Sequence, residues 1–280
     1  MAAITTSRLG LPKSHEVLIC AKCKLSRLSP QLNANELTGL YADAYFNKNE
    51  NTSLNYSGIE GAPTDYISEI VKERYQHFIR TVERLIFLNP EGKTLLDVGA
   101  ATGDFLAIAK NKGLDVHGLE FSEYAGTKAK EKYGIELLNL PLSKYTPDFK
   151  YDFIHLSHVF EHFNDPVAEL RNISRLLDKK GILYIEIPYQ FHFIEKFIFK
   201  MRRKIGRFTL YSLHHPFFYT PKAIIQLLKS QGFQIITLSV FEPERYETKM
   251  ISQRVKKIIW YLLSLFSIGN YIIIYARKRV

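Results

Sequence analysis

A glycine turn between an apolar strand and a helix constrains the fold of this chain more than any other feature. The segment LLDVGAATGDF, residues 95–105, begins as an apolar strand and continues as a helix. Gly99 and Gly103 let the backbone turn tightly and approach a ligand, because they carry no Cβ atom. The dinucleotide pattern G-x-G-x-x-G is excluded, since Ala101 and Asp104 occupy its second and third glycine positions. The segment therefore predicts a nucleoside-binding loop of another type.

An acid follows the glycine turn at the spacing that ribose binding requires. A predicted amphipathic helix at residues 104–112 leads to the strand DVHGLE, which ends at Glu120, about 20 residues beyond the glycine turn. A carboxylate at this place accepts hydrogen bonds from the 2′ and 3′ hydroxyls of ribose. The alternative is that Glu120 caps the helix that begins near Ser122.

The acid before the first glycine, Asp97, completes the pattern D-x-G-x-x-x-G. This pattern closely resembles the loop of the class I methyltransferases that depend on S-adenosylmethionine (SAM). The resemblance extends over most of the chain through the segments YDFIHLSHVFEHFNDP, GILYIEIP and HHPFFYTPKAIIQLLKSQGF. In this order they are similar to the branch that acts on sugars, glycan or lipid intermediates and quinone-like molecules. The resemblance implies an α/β fold with a doubly wound, Rossmann-like, seven-stranded sheet and an antiparallel last strand at residues 271–275.

The resemblance also implies SAM as the cofactor and assigns its binding residues. The backbone around Ala101 is expected to pass beneath the methionyl portion, and Glu120 is expected to hold the ribose. Phe121 and Leu142 are expected to flank the adenine, and Ser157 to line the floor near the sulfonium. The predicted cofactor-binding residues are Asp97, Gly99, Ala101, Gly103, Glu120, Phe121, Leu142 and Ser157.

Two histidines are candidates for the catalytic base. His215 stands in LHHPFFYTP, which is similar to the segment E-H-x-x-x-F-[ST]-P, where the histidine of some sugar methyltransferases is the proposed base. A neutral imidazole takes a proton from a hydroxyl near pH 7. The alternative is that His215 only shapes its loop through bonds to the backbone. His158, expected near the sulfonium, is the second candidate.

The two histidines that flank Glu161 are candidate metal ligands. His158 and His162 stand four positions apart and could share one helical turn. However, the E-H-x-x-D-P block at residues 161–166 resembles a block that is common in metal-free methyltransferases. The sequence therefore predicts no metal at this place.

Two segments are predicted along the chain. Residues 1–60 form an N-terminal appendage, and residues 61–280 form the SAM-binding domain, with an acceptor-site insertion at about residues 189–215. Cys20 and Cys23 resemble the second half of a zinc ribbon. Structural zinc requires four ligands, so a degenerate ribbon-like turn is favoured and zinc binding stays open.

The appendage also carries a paired-tyrosine motif. Tyr41 and Tyr45 resemble those of a helix that follows the ribbon in some of these methyltransferases. This helix either forms a lid over the cofactor or packs its tyrosines against the domain as an ordinary docking helix.

Composition bounds the partners and the compartment. Two cysteines leave no disulfide framework, and no secretory signal is predicted, so we expect a cytoplasmic protein. The net charge of +10 is compatible with nucleic acid, an anionic membrane, a phosphorylated acceptor or a solvated basic face. Aromatic and basic residues mix in the insertion, and residues 258–276 carry no charge. Gly269 and Asn270 interrupt that run, so reversible surface contact is predicted rather than a membrane span.

The sequence thus favours methyl transfer from SAM to a hydroxyl of a sugar, a glycan precursor or a lipid-like small molecule. Action on nucleic acid is less favoured, because the segment after the fourth strand is SHVFEH rather than N-P-P-Y. A methyltransferase acting on RNA remains an alternative. A binding module that keeps the fold without catalysis is the other.

Overall fold

The structure is a computed structural model that describes residues 4–7, 16–31, 66–189, 215–240, 255, 258, 261–262 and 271–279, with the backbone alone for residues 4–7 and 66–73. The predicted lid helix with Tyr41 and Tyr45, the predicted boundary at residue 60 and nearly all of the insertion lie outside these residues.

Ten strands and five helices are assigned in the described parts of the chain. The strands are β1 (Ile4–Ser7), β2 (Glu16–Cys20), β3 (Ser26–Ser29), β4 (Thr94–Val98), β5 (Asp115–Leu119), β6 (Tyr151–Ser157), β7 (Leu177–Pro188), β8 (Phe217–Phe218), β9 (Phe233–Ser239) and β10 (Tyr271–Lys278). The helices are α1 (Tyr66–Leu88), α2 (Asp104–Asn111), α3 (Glu123–Tyr133), α4 (Pro166–Leu176) and α5 (Pro221–Ser230).

The main sheet has the strand order β5-β4-β6-β7-β10-β9. Strands β5, β4, β6 and β7 pair in parallel, whereas β10 pairs antiparallel with both of its neighbours. The predicted antiparallel last strand is thereby confirmed. Within the described residues the sheet has six strands rather than the seven expected, because the outer edge of β5 carries only a single parallel bridge there, from Leu119 to Leu138.

Local signals account for the helix starts that the sequence predicted. The Asp165 carboxylate accepts hydrogen bonds from two backbone N–H groups of the first turn of α4, with Pro166 as the first helical residue. The Thr220 hydroxyl caps α5 in the same way, and Ser122 caps α3.

The core lies on both faces of the main sheet, because neighbouring strand residues point to opposite sides. Leu96 and Val98 pack with α4 and α5 on one face. Leu95 packs with α1 and α2 on the other, which also holds the side chain of Asp97 against α2. The result is a three-layer α/β arrangement of the Rossmann-like type.

A second, four-stranded antiparallel sheet joins the three N-terminal strands to β8. Its order is β1-β2-β3-β8. The hairpin of β2 and β3 holds Cys20 and Cys23, and β3 pairs with β8 through Ser26 and Phe218. Strand β8 directly follows His215, so the N-terminal hairpin braces the loop that carries this histidine. Among the described helices, none combines the length and the apolar character that crossing a bilayer requires.

Candidate functional site

The site residues converge at the carboxyl edge of the parallel strands. In the sheet register, Val98 pairs with Leu119 on one side and with Leu156 on the other. The residues that follow these partners are Glu120 and Ser157, so both flank the glycine turn. Between β4 and β6 the chain reverses its order across the sheet, and ligands of open α/β sheets bind at such a point.

The glycine turn has a backbone shape that side chains oppose. Gly99, Ala101 and Gly103 have φ angles of 75°, 46° and 75°. A Cβ atom on Gly99 would lie 2.4 Å from Cγ2 of Val159. The backbone N–H groups of Gly99 and Ala100 donate to the Leu119 carbonyl oxygen at 2.8 and 3.0 Å. The turn is therefore fixed to the end of β5, beside Glu120.

Glu120 bridges this turn and the start of α3. Its Oε2 accepts a hydrogen bond from the Ala101 N–H at 2.8 Å, and its Oε1 accepts one from the Ser122 N–H at 2.9 Å. An ionised carboxylate has about four acceptor positions, so two remain for the two hydroxyls of a ribose. Burial raises the pKa of Glu120, and the backbone N–H groups offset this in part.

The predicted adenine contacts differ in exposure. The ring of Phe121 is 62% exposed and is therefore accessible to an aromatic ligand that could stack on it. Leu142 is instead buried in the core as the first residue of the 3-10 turn Leu142–Lys144, whereas Leu140 packs only partly against that core. Of the two predicted residues, Phe121 is thus the one that presents surface to a ligand.

Asp97 faces the interior beneath the turn. Its Oδ1 lies 2.7 Å from Nδ1 of His155, and both side chains are buried. The imidazole of His155 is stacked between the rings of Phe105 and Tyr184, with centroids at 3.7 and 4.8 Å. In this geometry Asp97 holds the strand and the helix start in place rather than presenting its carboxylate to a ligand.

Glu186, fully buried on β7, gathers polar side chains from three elements. Its oxygens lie 3.1 Å from a guanidinium nitrogen of Arg74, 2.8 Å from Nε2 of His77 and 3.1 Å from Nε2 of His158. The Tyr184 hydroxyl donates to it at 2.7 Å. The same Arg74 nitrogen donates to the Ser157 hydroxyl at 2.7 Å, so this cluster fixes the residue predicted at the floor of the site.

His158 is held between two carboxylates. Its Nε2 faces Glu186, and its Nδ1 lies 3.6 Å from Glu161. Burial alone would lower the pKa of His158, but the two carboxylates outweigh burial and raise it. The residue has a φ of 57°, in the left-handed region. Both ring nitrogens of His158 face carboxylates.

A second cluster unites the E-H-x-x-D-P block with the loop before β8. Glu161 and His162 lie on the 3-10 turn Phe160–His162, and His215 reaches them from the other segment. One ligand-type atom from each residue lies within 4.8 Å of the other two. Burial opposes ionisation of Glu161, but the nearby imidazoles of His158, His162 and His215 outweigh it and lower its pKa.

Several residues of these clusters were not predicted from the sequence. Glu186 carried a signal, since a lone acid inside the apolar strand GILYIEIP indicates a buried ionic partner. Its partners Arg74 and His77, on a helix far away in the chain, carried none. The link between Glu161 and His215 likewise depends on the fold.

Cys20 and Cys23 are both free thiols, partly exposed, in the turn between β2 and β3. The backbone N–H groups of Cys23 and Lys22 donate to the Cys20 sulfur and lower its pKa. In the described part of the chain, three side chains that could bind a metal come together at Glu161, His162 and His215, and the two cysteines are not among them.

Comparisons with known proteins agree with this architecture. A sequence model described as "Methyltransferase domain" matches residues 70–238, which is more than half of the chain. The demethylmenaquinone methyltransferase of Thermotoga maritima is 30% identical over 187 residues, which cover 59% of this chain and 77% of that protein.

Solved structures are similar in fold at low sequence identity. Magnesium protoporphyrin IX methyltransferase from Synechocystis, solved with bound SAH, superposes with a TM-score of 0.55 at 15% identity and covers 86% of this chain and 99% of that one. An S-adenosylmethionine-dependent methyltransferase from Clostridium acetobutylicum gives a TM-score of 0.52 at 13% identity, covering 77% and 99%. At these identities the likeness concerns the fold.

Proposed function

The chain belongs to the methyltransferase-domain family, and from this premise we propose that it transfers a methyl group from SAM to a hydroxyl of a sugar, glycan precursor or lipid-like small molecule. SAM is the methyl donor, and when bound it supplies an electrophilic methyl group on a sulfonium. The observation that carries the proposal is the position of Glu120, with two acceptor positions left over, beside a turn in which Gly99 leaves no room for a Cβ atom.

The residues of the turn would bind the donor, and those of the carboxyl edge would orient it. Glu120 would accept from the ribose hydroxyls, and the exposed ring of Phe121 would stack on adenine. Ser157, fixed by Arg74, would line the floor under the methyl group. Asp97 would support the turn from beneath through its bond with His155. Together they would align the acceptor oxygen with the methyl group, and such alignment is a large part of catalysis.

The acceptor hydroxyl must lose its proton as its oxygen forms a bond to the methyl carbon and the bond from that carbon to sulfur breaks. We assign the proton to His215, which lies buried beside His162 in a loop next to the same edge. A quinone-type acceptor is supported by the relative that is named for demethylmenaquinone. A sugar acceptor is supported by the LHHPFFYTP segment that carries His215.

Titration calorimetry with SAM and with SAH tests the proposal. We expect both to bind at one site, and Glu120→Ala to weaken binding by about 1–3 kcal/mol through the unpaired ribose hydroxyls. Glu123→Ala, an exposed acid in the first turn of α3, is the matched control and should bind normally. A folded protein that gives no heat with either compound would refute the assignment of SAM. Incubation with labelled SAM and cell extract then identifies the acceptor.

Contact with an anionic membrane surface is a further part of the proposal. Val255, Ile258, Tyr261 and Leu262 are all in helical conformation and at least 50% exposed. Their spacing of three, three and one positions places them on one helical face. Arg254, Lys256 and Lys257 stand next to them in the sequence. Apolar residues beside basic ones are typical of helices that lie in the headgroup region.

Vesicle flotation tests this contact. Each basic residue near an anionic surface contributes about 1 kcal/mol, so we expect binding to anionic vesicles that high salt abolishes. Ile258→Asp should reduce the bound fraction, whereas Phe87→Asp, at a 70% exposed apolar side chain on α1, should not. Equal flotation with neutral and anionic vesicles, or none with either, would contradict the proposal.

A further inference from the structure

We propose that Glu161, His162 and His215 form a binding site for a divalent transition-metal ion of the zinc type, at a place where the sequence predicted no metal. The carboxylate and one nitrogen of each imidazole already lie within 4.8 Å of one another. The imidazole rings of His162 and His215 are 4.7 Å apart and inclined at 67°. Ligand atoms around tetrahedral zinc lie roughly 3.3 Å apart at bond lengths near 2.0–2.1 Å, so modest side-chain rotations would close the site.

Glu161 provides an independent observation that points to a cation. Its side chain is 2% exposed, and neither carboxylate oxygen has a hydrogen-bond partner within the described residues. The imidazole nitrogens of His158 and His162 lie at 3.6 and 3.9 Å, too far for hydrogen bonds. A buried carboxylate without hydrogen bonds is costly unless a positive charge compensates it. His158, beside the same carboxylate, supplies part of that charge when it is protonated. An ion between Glu161 and the other two histidines would supply a positive charge without a proton.

The donor set selects the class of ion. Two imidazoles and one carboxylate suit first-row transition metals, whereas magnesium and calcium prefer oxygen ligands alone. Three protein ligands are also the number found in catalytic zinc sites, which leave one position open. The Cys20 and Cys23 pair offers two thiolates and is not part of this group.

The consequence for the reaction rests on the proposed function. A zinc-type ion here would hold an acceptor hydroxyl at its open position and lower the pKa of that hydroxyl, so that its proton would pass to solvent water. His215 would then prepare the acceptor as a ligand, whereas in the metal-free protein it would do so as a base. The binding site itself does not depend on that reaction and can be measured without it.

The test uses the full-length protein, stripped with a chelator and titrated with ZnCl₂. We expect one tight zinc site per chain and a rise of the unfolding temperature on loading. Glu161→Gln, His162→Ala and His215→Ala should each weaken zinc binding by more than about tenfold, since even the loss of an outer-shell partner has an effect of that size. His162 is partly exposed, so His162→Ala should still fold. This variant allows zinc binding to be tested even if the variants of the buried residues Glu161 and His215 unfold.

Two controls separate this site from others. His117→Ala removes a partly exposed histidine that faces Asp115, and the double variant Cys20→Ser, Cys23→Ser removes the thiols. Both should bind zinc as the unaltered protein does. Zinc binding that is absent, that survives in His162→Ala and His215→Ala, or that is lost only in the cysteine variant would overturn the proposal.

SAM calorimetry on the metal-free protein keeps the two proposals apart. Binding of SAM without any binding of zinc would refute the metal site and leave the methyltransferase proposal intact. Binding of zinc at the three residues without any binding of SAM would refute the methyltransferase proposal and leave the metal site intact.

Discussion

Opposing forces act on the carboxyl group of Glu120. Burial raises its pKa, while the backbone N–H groups of Ser122 and Ala101 stabilise the ionised form. The net shift is upward, so the folded protein holds a proton on this group at pH values where an exposed glutamate is ionised. Its contribution to stability is accordingly largest in acid and falls as the pH rises through the raised pKa.

This shift predicts a pH dependence of SAM binding. A protonated carboxyl accepts fewer hydrogen bonds from ribose, so SAM affinity should fall on acidification, beginning at a higher pH than the ordinary pKa of glutamate. Calorimetry from neutral to mildly acid pH measures this. In Glu120→Gln, which cannot titrate, the fall over this range should be absent; an identical fall would assign the effect to another group.

The methyl group that Gly99→Ala adds should show how closely the glycine turn is packed against Val159. Gly99→Ala combines a left-handed φ of 75° with a 2.4 Å approach to Val159, whereas Gly113→Ala combines a φ of 88° with open space. Backbone strain is common to both variants and amounts to about 1–3 kcal/mol. Gly99→Ala should therefore lower the free energy of unfolding more than Gly113→Ala does. Denaturant unfolding of both variants decides; equal losses would mean that Val159 moves away freely.

At the level of elements, Glu186 links strand β7 to helix α1 through Arg74 and His77. Glu186→Gln removes the charge that Arg74, His77 and His158 surround. Breaking a buried ion pair from one side typically costs about 3–5 kcal/mol. Glu91→Gln, which removes the exposed partner of Lys180, should change stability by less than about 0.5 kcal/mol. Thermal and denaturant unfolding compare them, and similar small losses would show that the cluster is dispensable.

How much of the structure the sequence could predict depends on how far apart along the chain the interacting residues lie. The starts of α4 and α5 depend on Asp165 and Thr220, which act on N–H groups two or three residues away. Two partners of Glu186, Arg74 and His77, lie more than 100 positions away and became visible only in the folded chain. Among the described residues the expected seventh strand is absent for a similar reason, since those near Leu138 form a bridge of one residue instead of a ladder.

At the scale of the whole molecule, the N-terminal hairpin and the His215 loop form one structure. The N–H of Leu28 donates to the Pro216 carbonyl oxygen at 3.0 Å, and the Thr220 hydroxyl donates to the Cys23 carbonyl oxygen at 3.1 Å. Leu28 is 1% exposed, while its neighbour Arg27 points to solvent. Packing of the hairpin should therefore reach the candidate base.

Leu28→Ala tests this connection. It should lower stability by about 2–5 kcal/mol and speed hydrogen exchange at the amides of Phe217 and Phe218, because the supporting strand loosens. Arg27→Ala, on the exposed face of the same strand, should leave exchange unchanged. Exchange that stays slow in Leu28→Ala would show that the His215 loop holds its shape without the hairpin.

The pairing of β3 with β8 also sets an order of events during synthesis. Cys23 and Thr220 are separated by 197 positions, so the hairpin leaves the ribosome long before the strand that completes its sheet. At translation rates of about 5–20 residues per second, the wait lasts roughly 10–40 s. During this time the edge of β3 presents unpaired backbone groups, and such edges recruit other chains. Slower translation of residues 32–215 should therefore lower the yield of folded protein by prolonging that exposure.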